Sequence, residues 1–207
     1  MLIPTIEQCH ELFEQYKVPG TVQTHCQTVF KVATYLAEEL KKKGYPINTT
    51  IIGPLALLHD FMKAVTLEKL DNPPYNYNPS KEELEMHQKL REQYPDMSET
   101  KVTSFILQDK YPEFSQLFLE LDKLTHEPHP RVSEEAHFIH YVDWRVLGNK
   151  VVPIEQRMNY ILERYGSWIK KRNLDWEQIK KEQLDYQQKI FKHLPIQPEE
   201  LSTKIIL

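Results

Sequence analysis

The chain has 207 residues, 40% hydrophobic and 27% charged, a composition that fits an ordinary folded domain and not a low-complexity or fibrous chain. Lys and Arg total 26 against 30 Asp and Glu, a net charge of −4, which argues against nucleic-acid backbone binding as the main role. Two cysteines, Cys9 and Cys26, cannot form a disulfide framework; with no basic, apolar leader at the start and no apolar run of membrane-spanning length, the expectation is a soluble protein of the reducing cytoplasm.

Helical periodicity dominates from end to end. Thr5 and Gln8 have capping-box spacing and open a first helix carrying Ile6, Leu12 and Phe13; Gly20 breaks the chain. A second helix presents Val22, His25, Val29, Val32, Ala33, Leu36 and Leu40 on one face and ends at the lysines 41–43 and Gly44. Thr49 or Thr50 caps a third, whose run IIGPLALLHDFM is apolar all round and marks a buried central helix, with Pro54 placed early in it. Residues 71–79 read as a loop whose Tyr75, Asn76 and Tyr77 can fold over a site. Ser80 with Glu83 opens a polar helix to about Gln93. Ser98 opens the next, with Val102, Phe105, Ile106 and Leu107. Pro112 starts another, with Phe114, Leu117, Phe118, Leu121 and Leu124 inward, and the segment HEPHPR is a loop. Ser133 caps a helix expected to run to Leu147 and stop at Gly148. Pro153 begins one ending near Tyr165 and Gly166, and Asp175 opens a last helix through about Lys192 with an extended tail after Pro195. The reading is an all-α bundle, residues 1–170 forming the domain and 171–207 a helix and tail docked on it.

Chemistry concentrates at three places. His59 and Asp60 sit side by side in the most apolar stretch, where a carboxylate needs a cation or several donors. Asp143 shares a helix with the apolar Ala136, Ile139, Val146 and Leu147, and His25 interrupts the apolar face between Val22 and Val29. Three helices thus each direct a ligand-type residue at the core, which is how bundles build metal sites. Taken singly, His25 reads as a hydrogen-bonded core histidine, and Asp143 as a buried partner of Arg145 or Arg157.

The order H, then HD, then D resembles the HD superfamily of metal-dependent phosphohydrolases, small bacterial members in particular. The matching pieces are THCQTVFKVATYLAEEL, ALLHDFMK and YVDWRVLGNKVVPIEQRMNYILERYG, and the likeness runs from about residue 20 to 166. It implies an HD-type helical fold and one divalent ion (Mn, Fe, Co, Ni, Zn or Mg) held by His25, His59, Asp60 and Asp143. It implies hydrolysis of a small phosphate ester, a nucleotide monophosphate or phosphodiester, by metal-activated water, with Asp60 and Lys63 catalytic. An inactive nucleotide- or phosphate-binding sensor is the alternative, and a metal-free helical interaction protein a third.

Lys63 either binds phosphate or is a cation at a helix end. Arg145, in the string DWRV, either reaches substrate or pairs with a carboxylate beside the metal. His126 falls where two-metal HD enzymes carry a further histidine, and is expected to line the pocket or bind phosphate. Glu99 stands where such enzymes place another histidine, a departure that implies one metal and leaves Glu99 a ligand, proton-transfer or substrate-side group. His137 and His140 read as a solvated face or core hydrogen bonds. Oligomeric state is open.

Overall fold

The computed structural model describes residues 1–70, 77–127 and 129–205. The expected loop at 71–79 therefore falls mostly outside the described residues, Tyr75 and Asn76 included. The molecule is an all-α helical bundle: α1 (Ile6–Gln15), α2 (Gly20–Lys42), α3 (Thr49–Leu58), α4 (Lys81–Gln93), α5 (Glu99–Leu107), α6 (Pro112–His126), α7 (Glu134–Asp143), a hairpin of β1 (Val146–Leu147) and β2 (Lys150–Val151), α8 (Ile154–Lys171), α9 (Trp176–Phe191) and α10 (Leu201–Lys204). Among the described residues no helix is long and apolar enough to cross a membrane.

Capping chemistry sets most helix starts. Thr5 with Gln8 and Ser80 with Glu83 form reciprocal capping boxes, and Ser98, Ser133 and Asp175 accept from the third backbone N–H of their helices. α3 is capped by Asn48, one residue ahead of the expected threonines, because its Oδ1 accepts from Thr50 N–H. Gly20 does not break the chain but begins α2.

α2, α3 and α7 pack on one another at the centre, α1 covers α3, and α5 and α6 pair beside α7. The approach of α3 is close at Gly53, where an added Cβ would stand 3.0 Å from Phe30 Cε2 and 3.3 Å from Ile6 Cδ1. Nearly every α3 side chain is buried, as its apolar run implies. Pro54 is the sixth residue of α3, so it does forgo an interior hydrogen bond. Phe105 of α5 is half-exposed against the Tyr94 ring.

Three expected boundaries are wrong. α7 stops at Asp143, not Leu147, because Val146 and Leu147 pair with Val151 and Lys150 across a two-residue Gly148–Asn149 turn. Gly148 has φ +62, a left-handed backbone that such turns place on glycine. α8 runs past Gly166 to Lys171, carried by the buried Ile169, since one interior glycine costs only about 1 kcal/mol. The tail after Pro195 is not extended: a 3₁₀ turn, Pro198–Glu200, leads into α10, and Leu201 is fully buried.

α9 docks on α7 through Tyr186, Ile190 and Phe191. The Glu134 carboxylate accepts from Tyr45 Oη at 2.5 Å, Tyr186 Oη at 2.7 Å and Lys189 Nζ at 2.6 Å. His137 stacks on the Tyr186 ring at 4.0 Å, and His140 Nδ1 accepts from Gln183 Nε2 at 3.1 Å. Burial pushes the His140 imidazole down to about 4, and His137 and His59 downward too. A histidine held neutral by the fold must take up a proton on unfolding at low pH, so its contribution is intact above the ordinary value of 6.5 and declines as pH falls. Glu134 and Asp122 add to this lower down: burial raises both, yet Lys189 with two tyrosines, and Ser98 with His126, outweigh it and leave each carboxyl depressed. Their contribution is present above the ordinary 4.5 and 3.8 and is lost as pH drops through the folded values. Urea unfolding across pH is expected to show stability declining from about pH 6.5 downward, with His140→Gln flattening the upper part of the decline. A profile flat from neutrality to pH 4 contradicts this account.

Candidate metal centre

α3 ends at Leu58, so the His59–Asp60 pair lies just past the helix and not inside it. There the chain tightens: Phe61 N–H bonds Leu58 O, Lys63 N–H bonds Asp60 O, and a 3₁₀ turn follows at Lys63–Val65. That turn sets His59 and Asp60 at the α3 end facing His25 of α2, and Asp143, the last residue of α7, closes the group.

The side chains converge. His25 Nε2 lies 2.9 Å from Asp143 Oδ1, and His59 Nε2 lies 3.9 Å from the same oxygen. Asp60 Oδ2 is 3.9 Å from both imidazole Nε2 atoms. One ligand atom from each of His25, His59 and Asp143 falls within 4.8 Å of the others, so these three could hold a metal ion. Ligands about 2.1 Å from one ion stand roughly 3–4 Å apart, the spread seen here.

The hydrogen bonding fits a cation. His59 Nδ1 donates to Ala56 O at 2.7 Å, so the neutral ring turns a bare Nε2 lone pair to the centre, where this buried atom has no partner. His25 has Gly148 O at 3.2 Å from Nδ1 and Asp143 Oδ1 at 2.9 Å from Nε2. A neutral imidazole has one N–H and cannot donate to both; a cation shared by Nε2 and Asp143 satisfies the pair. Burial pushes His59 down, which keeps it in the form that ligates. Burial raises Asp143, but the Arg157 guanidinium and His25 overcome it and hold the carboxyl well below its usual range. Asp60 is likewise raised by burial and lowered further by Lys63 and His59. Cys26, next to His25, is fully buried, and burial and the Asp60 charge push its thiol well up.

The other expected residues divide. Lys63 is at the centre, its Nζ 3.5 Å from Asp60 Oδ1 and 2.6 Å from Glu99 Oε1. Glu99, in the first turn of α5, thus faces the centre through Lys63. His126 is the last residue of α6 and not in a loop; Nδ1 bonds Asp122 O at 2.8 Å and the ring meets Trp168 edge-on. Arg145 has no carboxylate partner among the described residues and lies in the interior. It is 2% exposed, and its guanidinium donates to Val152 O, Tyr141 Oη, Gln187 Oε1 and Pro198 O at 2.8–3.2 Å. The hairpin turns it away from the centre. Tyr77 Oη accepts from Gly20 N–H at 2.8 Å and donates to Glu83, so it seals the start of α2.

Arg157 on α8 is the residue that meets Asp143, Nη2 to Oδ1 at 3.2 Å. Spacing alone left it equal with Arg145; what separates them is that Arg145 follows the helix end by two residues. The backbone carbonyls of Ala56 and Gly148 that orient the histidines carry no side-chain signature, although the Ala56 carbonyl lies one helical turn before His59. No family model, curated protein or solved structure matches the chain.

Proposed function

We propose that the chain is a metal-dependent phosphohydrolase of the HD type, acting on a small phosphate ester of the nucleotide monophosphate or phosphodiester class. The observation that carries this reading is the buried, unpartnered Nε2 of His59, turned to a centre completed by His25, Asp60 and Asp143. A divalent ion there, when bound, supplies Lewis acidity toward a phosphate oxygen and a water of lowered pKa.

The chain's own groups do the rest. Ala56 O and Gly148 O fix the ring orientations of His59 and His25. Arg157 steadies Asp143. Asp60 is bipolar: Oδ2 faces the histidines, while Oδ1 faces Lys63 and accepts the proton of an attacking water. The side chains of Asp60, Asp143 and Lys63 are 20–27% exposed while His59 stays buried.

The test is a metal-dependence screen on p-nitrophenyl phosphate, nucleoside monophosphates and cyclic dinucleotides, with Asp60→Ala as control. Phosphate release that needs added Mn²⁺ or Co²⁺ and disappears in the variant is expected. Metal-loaded protein that cleaves nothing on the panel contradicts the hydrolase reading; tight nucleotide binding without turnover favours the sensor.

A further inference from the structure

Three buried side-chain atoms among the described residues lack a hydrogen-bond partner: His59 Nε2, Arg157 Nε and Gln183 Oε1. Gln183 belongs to the α7–α9 packing. The other two border one centre and are opposite in kind. His59 Nε2 is an acceptor, met by a cation. Arg157 Nε is a donor, met by an anion.

The guanidinium is aimed. Its Nε–H and Nη2 lie along the same edge of the plane, the edge that grips carboxylates and phosphates in bidentate fashion. Nη2 reaches Asp143 Oδ1 at 3.2 Å, so one end of that edge stands at the carboxylate, and Nε, its other donor, is buried without a partner. The Tyr160 ring, 5.5 Å from the guanidinium carbon, covers one face. Tyr165, farther along α8, is within electrostatic reach of both Arg157 and Lys63 and has an exposed side chain.

Charge decides which cation is free to act. Lys63 has Glu99 at 2.6 Å and Asp60 at 3.5 Å, so its charge is already answered. With a divalent ion balancing Asp60 and Asp143, and Lys63 balancing Glu99, Arg157 is the surplus cation of the group. We infer that Arg157 is a substrate-binding residue, its Nε edge donating to a phosphoryl oxygen placed beside Asp143, and that Lys63 is a positioning residue joining Asp60 to Glu99. This rests on the phosphohydrolase reading above and shifts the phosphate contact from α3's end to α8.

The probe is inorganic phosphate, titrated calorimetrically into the full chain at saturating Mn²⁺, with the bound metal counted in the same samples. Arg157→Gln is expected to weaken phosphate about tenfold or more, the loss of one charged hydrogen bond, with Arg157→Lys falling between it and wild type. Lys63→Met is expected to change phosphate affinity less than about threefold while lowering kcat with little change in KM, because Asp60 loses the neighbour that positions it. If Arg157→Gln fails to fold, Arg157→Lys carries the comparison. Unchanged phosphate affinity in a metal-loaded Arg157 variant overturns the assignment and leaves the metal reading standing. A larger loss in Lys63→Met also overturns it, in favour of Lys63. Wild-type protein that takes up no metal removes both.

Discussion

Asp143→Asn is expected to strip the chain of its ion and to lower phosphatase activity by at least about 10³-fold, the equivalent of the several kcal/mol an ion contributes to charge stabilisation. The substitution keeps shape and removes charge. Asp143 Oδ1 lies 2.9 Å from His25 Nε2 and 3.9 Å from His59 Nε2, and also takes the Arg157 hydrogen bond. Asn can still accept from Arg157, so packing at the end of α7 is retained. What is lost is one of the two carboxylates that balance a divalent ion. With Asp60 left as sole carboxylate beside two imidazoles, Arg157 faces the ion uncompensated. Metal analysis, kcat/KM and circular dichroism on one preparation separate this outcome from misfolding. A folded Asp143→Asn protein with a full equivalent of metal contradicts it.

Arg145→Ala is expected to cost about 3–5 kcal/mol of stability, since hydrogen bonds to a charged group contribute about 1.5–3 kcal/mol each and buried acceptors left unpaired add to the loss. The guanidinium joins β2's flank at Val152 O, α7 at Tyr141, α9 at Gln187 and the tail at Pro198 O. Truncation strands these buried acceptors and opens a cavity beside Tyr141, itself fully buried. The C-terminal segment should become the first site of proteolytic cleavage. KM for any substrate should be unchanged below the unfolding transition, because Arg145 does not face the centre. Urea unfolding measures the first effect, and a raised KM with normal stability would restore Arg145 to the substrate side.

The parts of this molecule written in local pattern were readable from sequence. Thr5, Ser80, Ser98, Ser133 and Asp175 each announce a helix start by a hydrogen bond within four residues, the apolar face of α2 places His25 inward by periodicity, and the unbroken apolar run ahead of His59 marks that stretch as buried. What was not readable depends on contacts far apart in the chain. Arg145 looked like a site residue because it follows Asp143 by two positions in the HD-like string DWRV; the Val146–Val151 pairing ends α7 and leaves its guanidinium among Val152 O, Tyr141, Gln187 and Pro198 O. The flanking valines and Gly148–Asn149 were the available signal for that hairpin. The Lys63–Glu99 ion pair spans 36 residues, and neither partner marks the other in sequence. Arg157 reaches Asp143 only because α8 folds back after the hairpin.

The central claim is that His25, His59, Asp60 and Asp143 share one divalent ion. Calorimetric titration of chelator-treated protein with Mn²⁺, set beside the same titration of His59→Ala, tests it most directly. The account predicts one equivalent bound by the wild-type chain and none at the same concentrations by the variant. Absence of binding by the wild-type chain, or identical isotherms for the two proteins, would mean that the bare His59 nitrogen serves some other end.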